Sequence, residues 1–308
     1  MTRARSWTTL ALFAAIALLI TACGGTAASP TMAPSQAPSS VEPSVEPTPE
    51  PSESLTEEFP YDAFSDPTTI TNPYLPLKPG TYWKWDGITV EDEEELSHQI
   101  ITMISDMTKV IDGVETVVGY DEDWSDGQLV EVEIFFAAQD DSGRVWRLGE
   151  YPEEFEEGQF VKAAPWIAGA QEALPGIMMM AEPAAGQRSY AQGWGPAVEW
   201  ADRGRVIEDD WTDTVPVGTY ENVIIVEEWD IAEPLARQLK YHAPDVGVIK
   251  IDWSGSADQS QEYMELIEFR QLTPAEMNTL RSKVLALEAR AYEIAPETYA
   301  GTEPMQQH

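Results

Sequence analysis

Two Asp-Gly pairs, Asp112-Gly113 and Asp126-Gly127, each stand between runs rich in Ile, Val, Thr and aromatic residues. Both central residues of a tight hairpin loop need positive φ, which Asp and Gly tolerate, so each pair predicts a two-residue turn between paired strands. Loops this short cannot carry a chain across to a parallel neighbour. The segment is therefore held to an antiparallel meander. Residues 96–111 lead into the first turn and 114–120 return; 129–138 follow the second turn. Asp141-Ser142-Gly143 then turns the chain into 145–148.

Alternation with period two continues on both sides of this meander. Tyr82-Trp83-Lys84-Trp85 opens a strand after the turn Lys78-Pro79-Gly80. Residues 198–201, 219–231, 239–243, 246–253 and 261–271 extend the pattern. In 96–111, one face carries His98, Ile100, Thr102, Ile104 and Asp106, a mixture of polar and apolar groups. Residues 152–195 are rich in Gly, Pro, Ala and Met and read as long loops with short strands. The fold class is mainly β: a large antiparallel curved sheet or half-barrel of roughly nine or ten strands, more than a flat twisted sheet usually keeps without curling.

One C-terminal α-helix, residues 274–294, follows. Thr273 and Glu276 form a capping box and Pro274 suits the first turn. Met277, Leu280, Val284, Leu287 and Ala291 make a narrow apolar stripe that suits packing on the sheet. Pro296 ends the helix, and the last residues through His308 are expected to fray. No linker-like composition breaks the chain after Pro79, so 59–308 read as a single β-rich domain.

The N-terminus carries a different signal. Arg3 and Arg5 precede an apolar run, residues 10–20, then Thr21-Ala22-Cys23 and two glycines. The run is about 11 residues, too short to span a bilayer. This segment resembles the signal peptide and lipobox of bacterial lipoproteins. The resemblance implies removal of residues 1–22 and acylation of Cys23, which anchors the mature chain at the extracytoplasmic face of a cell membrane. Residues 23–58, dominated by Pro, Ser, Thr, Ala and Glu, read as a disordered stalk that bears the domain away from the lipid.

The chain carries a formal charge of −36. That repels nucleic acid and anionic lipid surfaces, and leaves a solvated acidic surface or a basic protein partner. Asp121, Asp123, Ser125 and Gly127 resemble an oxygen-rich calcium loop, but Gly127 is one place late for that motif and Val132 stands where its last carboxylate belongs. No metal site and no cofactor are expected. His98 and His242 read as core or surface histidines, and no G-x-S-x-G elbow or phosphate-binding glycine loop is present. No catalytic residue is assigned. An envelope hydrolase using carboxylates stays open as an alternative, with Asp140 and Glu150 as the pair to inspect.

Ten tryptophans lie beyond Trp7. Most belong in a core, but flat apolar faces with a polar edge also suit a groove. Met178-Met179-Met180 cannot all point into one core from a strand, and flexible thioethers suit an adaptable apolar lining. Trp146, Trp166, Met178, Met179, Met180 and Tyr190 are the expected ligand-binding residues.

Several segments together resemble a family of uncharacterised bacterial secreted proteins and lipoproteins. They are residues 66–80 (DPTTITNPYLPLKPG), Ala138-Gln139-Asp140, Val145-Trp146 and Gly149-Glu150. Further along come Pro175-Gly176-Ile177-Met178, Gly186 with Tyr190, Val215-Pro216 with Gly218-Thr219, Lys240-Tyr241-His242-Ala243-Pro244 and Val246-Gly247. The resemblance covers most of residues 64–270 and implies one continuous β-rich domain. It transfers no catalytic residue, and His242 departs from the aromatic-type residue common at its position. The expected function is a membrane-anchored extracytoplasmic lipoprotein. Its non-enzymatic domain would bind an amphipathic small molecule, lipid or envelope polymer, or else serve as an acidic protein-interaction module.

Overall fold

The computed structural model describes residues 54–91, 94–255 and 261–307. The meander begins with β1 (Thr81–Glu91), β2 (Glu94–Ile111), β3 (Val114–Ser125), β4 (Gln128–Gln139) and β5 (Val145–Glu156), each pairing with the next. Asp112 and Gly113 take φ of 48° and 83°, and Asp126 and Gly127 take 48° and 72°. These are the dihedrals a two-residue hairpin loop requires. They put Ile111 opposite Val114 and Ser125 opposite Gln128.

The Gly- and Met-rich middle forms β6 (Gln159–Ala163), β7 (Trp166–Ile167), β8 (Leu174–Met179), β9 (Tyr190–Ala191) and β10 (Gly193–Trp194). The meander then resumes as β11 (Asp202–Val215), β12 (Gly218–Asp230), β13 (Ala236–Ala243), β14 (Gly247–Gly255) and β15 (Gln261–Gln271). Ten of these strands have eight residues or more, and nine of them hold the segments that alternation reveals. β11 does not, because the strand expected at 198–201 is instead the end of a 3-10 turn, Pro196–Val198, and a single bridge at Trp200. β15 pairs with β1 and so joins the two halves.

The sheet does not stop at a half-barrel. Its order runs β10-β8-β5-β4-β3-β2-β1-β15-β14-β13-β12-β11-β9. The two end strands of that path, β9 and β10, are separated in the chain by Gln192 alone. On one side Ala191 lies opposite Arg203, and on the other Gly193 lies opposite Pro175. The Gln192 amide donates to the Asp202 carbonyl at 2.8 Å. The result is a nearly closed antiparallel barrel, whose sheet edges are removed by one short segment paired on both sides. Gly176 permits the approach: a Cβ there would lie 2.0 Å from the Gly193 nitrogen.

Two apolar layers flank the wall of the barrel. Inside lie Trp83, Trp85, Phe135, Val226, Ile251 and Leu266. Outside, Val118, Ile134, Phe136 and Leu148 pack with Leu280, Val284, Leu287 and Ala291 of α1 (Pro274–Ile294). The capping box forms as the sequence predicts, with the Thr273 amide donating to Glu276 at 2.7 Å and the Glu276 amide donating to the Thr273 hydroxyl at 3.3 Å. β4 shows the division: Phe135 and Ala137 face the interior, whereas Val132, Ile134, Phe136 and Ala138 face the helix.

Two expectations change. A bulge between Ile104 and Thr108 breaks the shared face of β2 and turns Asp106 outward, where it pairs with Arg281 of α1 at 2.5 Å. The C-terminal tail is pinned rather than frayed. After α2 (Pro296–Tyr299), β16 (Gln306–Gln307) pairs with β2. The buried ammonium of Lys109 holds Glu288 at 2.7 Å and the Glu303 carbonyl at 2.6 Å, while the Met305 amide donates to Glu288.

Residues 66–80 lie across one end of the barrel. The Thr71 and Asn72 amides donate to Gln139 at 2.8 Å, and the Asn72 side-chain amide donates to the carbonyls of Gly143 and Met180. The Asp245 amide donates to the Pro73 carbonyl. These bonds tie the segment to the β4–β5 and β13–β14 turns, closing that end.

Candidate functional site

The inward row of each strand changes character along the barrel axis. Near the closed end β1 presents Trp83 and Trp85, β4 presents Phe135 and β14 presents Ile251. Towards the other end β3 presents Asp121 and then Asp123, and β4 presents Glu133 and then Glu131. Asp121 lies opposite Glu133, and Asp123 opposite Glu131. His98 of β2 joins this row, bonded to Asp123 at 2.7 Å and to Thr89 at 2.5 Å. An apolar floor thus grades into a carboxylate-rich upper wall.

Between the two lies a cavity of about 280 Å³. Its apolar lining includes Leu75, Pro76 and Leu77 of the end-closing segment, with Trp83, Trp85, Phe135 and Met178. The indoles of Trp83 and Trp85 donate to the carbonyls of Val246 and Val248, at 2.6 and 3.1 Å, which fixes their rings. Thr102, Asp121, Arg147, Gln192, Asp202, Glu228, Lys240 and His242 supply the polar lining.

The cations of this lining are engaged. Lys240 pairs with Glu228 at 2.6 Å and Arg147 pairs with Glu150. The Arg147 guanidinium also lies over the rings of Phe135 and Trp200. Gln192, from the segment that closes the barrel, donates to Glu228 at 2.7 Å. Asp121 and Asp202 have no cation within ion-pair distance among the described residues. Burial raises Asp202 to about 7, helped by Asp230, Glu228 and Glu150. Burial likewise raises Asp121 to about 6 against the opposing pull of Thr102, Arg147 and Lys240. Glu131 is pushed up to about 8 by burial and by Asp123, and burial drives Glu133 well above the ordinary carboxylate value.

His242 is only 3% exposed. Its Nδ1 lies 2.9 Å from the Tyr74 carbonyl, which can only accept, so Nδ1 carries the proton. Burial lowers the ring to about 4, so the imidazole is neutral and Nε2 is an acceptor. That Nε2 has no hydrogen-bond partner among the described residues, and neither have Asp121 Oδ1 and Glu133 Oε1.

Of the six residues expected to bind ligand, Met178 lines the cavity. Met179 is buried in the interior layer beside it, and Met180 packs against the outer layer. Trp146 is fully buried under the helix side of the wall, with its indole donating to Asp140 at 2.9 Å. Trp166 is buried and stacks at 4.9 Å on Trp200, which does reach the cavity. Tyr190 is buried at the closing segment, its ring against Gly204. The carboxylates singled out for hydrolysis do not converge. Asp140 builds the β4–β5 turn, accepting from Ser142, Arg144 and Trp146; burial pushes it up, but these bonds hold it below its ordinary value. Asp126 of the acidic loop serves the β3–β4 turn, accepting from Ser97. Cys23, the signal segment and the stalk up to residue 53 lie outside the described residues. Among the described residues no helix is long and apolar enough to cross a membrane.

Sequence reasoning missed Trp83, Trp85 and Trp200 as lining residues. The spacing of Trp83 and Trp85 puts both indoles on one face of β1, which is the signal that could have marked them.

No family model and no curated protein matches the chain. Among solved structures it is similar to an inferred exported protein with a YmcC-like fold from Bacteroides fragilis: 10% identity, 65% of this chain and 100% of that chain covered, TM-score 0.38. An inferred lipoprotein from Parabacteroides distasonis matches at 11% identity over 65% of this chain and 99% of that one, with a TM-score of 0.36. A β-barrel-like protein of a domain of unknown function from Brucella abortus matches at 11% identity over 63% and 98%, with a TM-score of 0.31.

Proposed function

We propose that this chain is an exported, membrane-tethered binding protein that holds a small amphipathic molecule inside its barrel. The observation that carries the reading is the graded interior, with fixed indoles, Phe135 and the neutral His242 towards the closed end and carboxylates and paired cations beyond them. Such a lining gives an apolar body a dry surface and gives a polar head partners that set its orientation. A cavity of about 280 Å³ is at the small end of ligand pockets and favours a compact molecule over a two-chain lipid or a polymer. The leader and Cys23 support attachment at the extracytoplasmic face, with the Pro-rich stalk as spacer. The geometry supports binding: the cations of the lining, Lys240 and Arg147, are held in ion pairs with Glu228 and Glu150 beyond the apolar floor.

The test compares the full chain with Thr102→Phe, which places a ring in the cavity from β2. Both are purified from the cell envelope, washed and denatured, and the small molecules released are identified by mass. A species released stoichiometrically from the parent chain and lost from the variant is the expected result. Equal release from both, or none from either, would overturn the reading.

A further inference from the structure

Among the residues that line the cavity, the buried side-chain atoms without a partner are both acceptors. They are His242 Nε2 and Asp121 Oδ1; Glu133 Oε1 and the indole donors of Trp166 and Trp253 are also without a partner among the described residues, but these three residues are outside the lining. A buried acceptor left without a donor is destabilising, so a ligand that supplies the donor recovers that loss. The cations of the lining and the Gln192 amide already have carboxylate partners: Lys240 and Gln192 share Glu228, and Arg147 holds Glu150. Among the ionisable side chains in the lining, Asp121 and Asp202 are the carboxylates without a cation at ion-pair distance. Whatever fills this space gains by bringing donors and positive charge.

His242 is independent of the acidic cluster. It is only 3% exposed, it lines the cavity, and its free Nε2 is fixed as an acceptor by the bond from Nδ1 to Tyr74. It stands one step along β13 from Lys240, whereas Asp121 projects from β3 on the far side of the sheet order. The two acceptors therefore belong to different walls. Between them lie the faces of Trp83, Trp85 and Phe135, suited to a flat apolar body and to a cation held close to aromatic rings. A bare metal ion fits poorly: among the described residues no three His, Cys, Asp or Glu side chains are placed to share one.

Building on the reading above, we propose that the cavity takes a small organic ammonium ion whose apolar body carries a hydroxyl or N–H donor. The ammonium meets Asp121, the donor meets His242 Nε2 on the opposite wall, and the body lies on the indoles.

Four probes of one shape test this by calorimetric titration of the full chain. Tyramine has both the ammonium and the donor. Phenethylamine lacks the phenolic donor, 2-(4-hydroxyphenyl)ethanol lacks the charge, and 3-(4-hydroxyphenyl)propanoate reverses it. Tyramine is expected to bind at least tenfold more tightly than the alcohol and the propanoate, and severalfold more tightly than phenethylamine. Asp121→Asn is expected to reduce tyramine to the level of the alcohol. His242→Phe is expected to erase the difference between tyramine and phenethylamine. Equal or tighter binding of the alcohol or the propanoate to the unaltered chain would overturn the ammonium assignment without touching the broader reading. No binding by any of the four would also overturn it, and the released-molecule experiment would then decide the broader reading separately. The comparison on the unaltered chain requires no variant to fold.

Discussion

Lys109 illustrates how single residues hold this molecule together. Its ammonium is buried with Glu288, Tyr292 and the Glu303 carbonyl, and lies over the rings of Tyr292 and Tyr299. Removing one partner of a buried pair leaves the other charge unpaired, which costs about 3–5 kcal/mol. Lys109→Ala should lower the unfolding free energy by that amount in urea and release the C-terminal tail to proteolysis. At this scale the sequence was least legible. Met178 reaches the cavity, but Trp146 and Trp166 are packed into the wall; only the two-residue spacing of Trp83 and Trp85 sets those two apart in local sequence. Strands β2 to β5 are buried on both faces, so alternation identifies two faces without saying which is the interior. His242 was hidden for another reason: burial makes it neutral, and its tautomer is set by the carbonyl of Tyr74, far away in the chain.

At the scale of elements, the hairpins were legible because Asp-Gly turns are a local choice, and the helix because its cap and stripe are local too. Thr273→Ala removes that cap and should cost about 1 kcal/mol, read as a small shift in the urea midpoint. The closure of the barrel was not legible. It rests on two strands of two residues each, β9 and β10, too short to carry a period. It also rests on Gly176, whose missing side chain lets the backbone of residues 192–193 approach. Gly176→Ala should therefore separate β8 from β10, seen as faster amide hydrogen exchange at Gly193 and Trp194 with little change in the β2–β3 hairpin. Unchanged protection along β10 would show that the closure does not depend on this contact.

For the whole molecule, the acidic composition is partly an interior property. Asp121, Glu131, Glu133 and Asp202 are raised by burial and mutual repulsion, facing Arg147 from β5, Lys240 from β13, and Asp123, Glu150, Glu228 and Asp230. A carboxyl raised in the native state binds protons there that the unfolded chain has released. Its ionisation then erodes stability as pH rises from the ordinary carboxylate range through the raised value. His242 acts in the opposite direction, but only below its unfolded value of 6.5. Between pH 6.5 and 8 the carboxyls dominate, so the thermal midpoint should fall by several degrees across that window, and a flat profile would contradict these raised values. Fold class was readable from alternation and turns; the cavity was not, because it arises only when ten separated strands bring their inward rows together.

The central claim is that ligand enters the barrel. Its most direct test is an indole ¹⁵N spectrum of the full chain, assigned by Trp→Phe replacements, as a small-molecule extract of the cell envelope is added. The account predicts shifts at Trp83, Trp85 and Trp200, with Trp146 under the helix and the exposed Trp211 unmoved. Shifts confined to Trp211, or a spectrum that does not change, would contradict it.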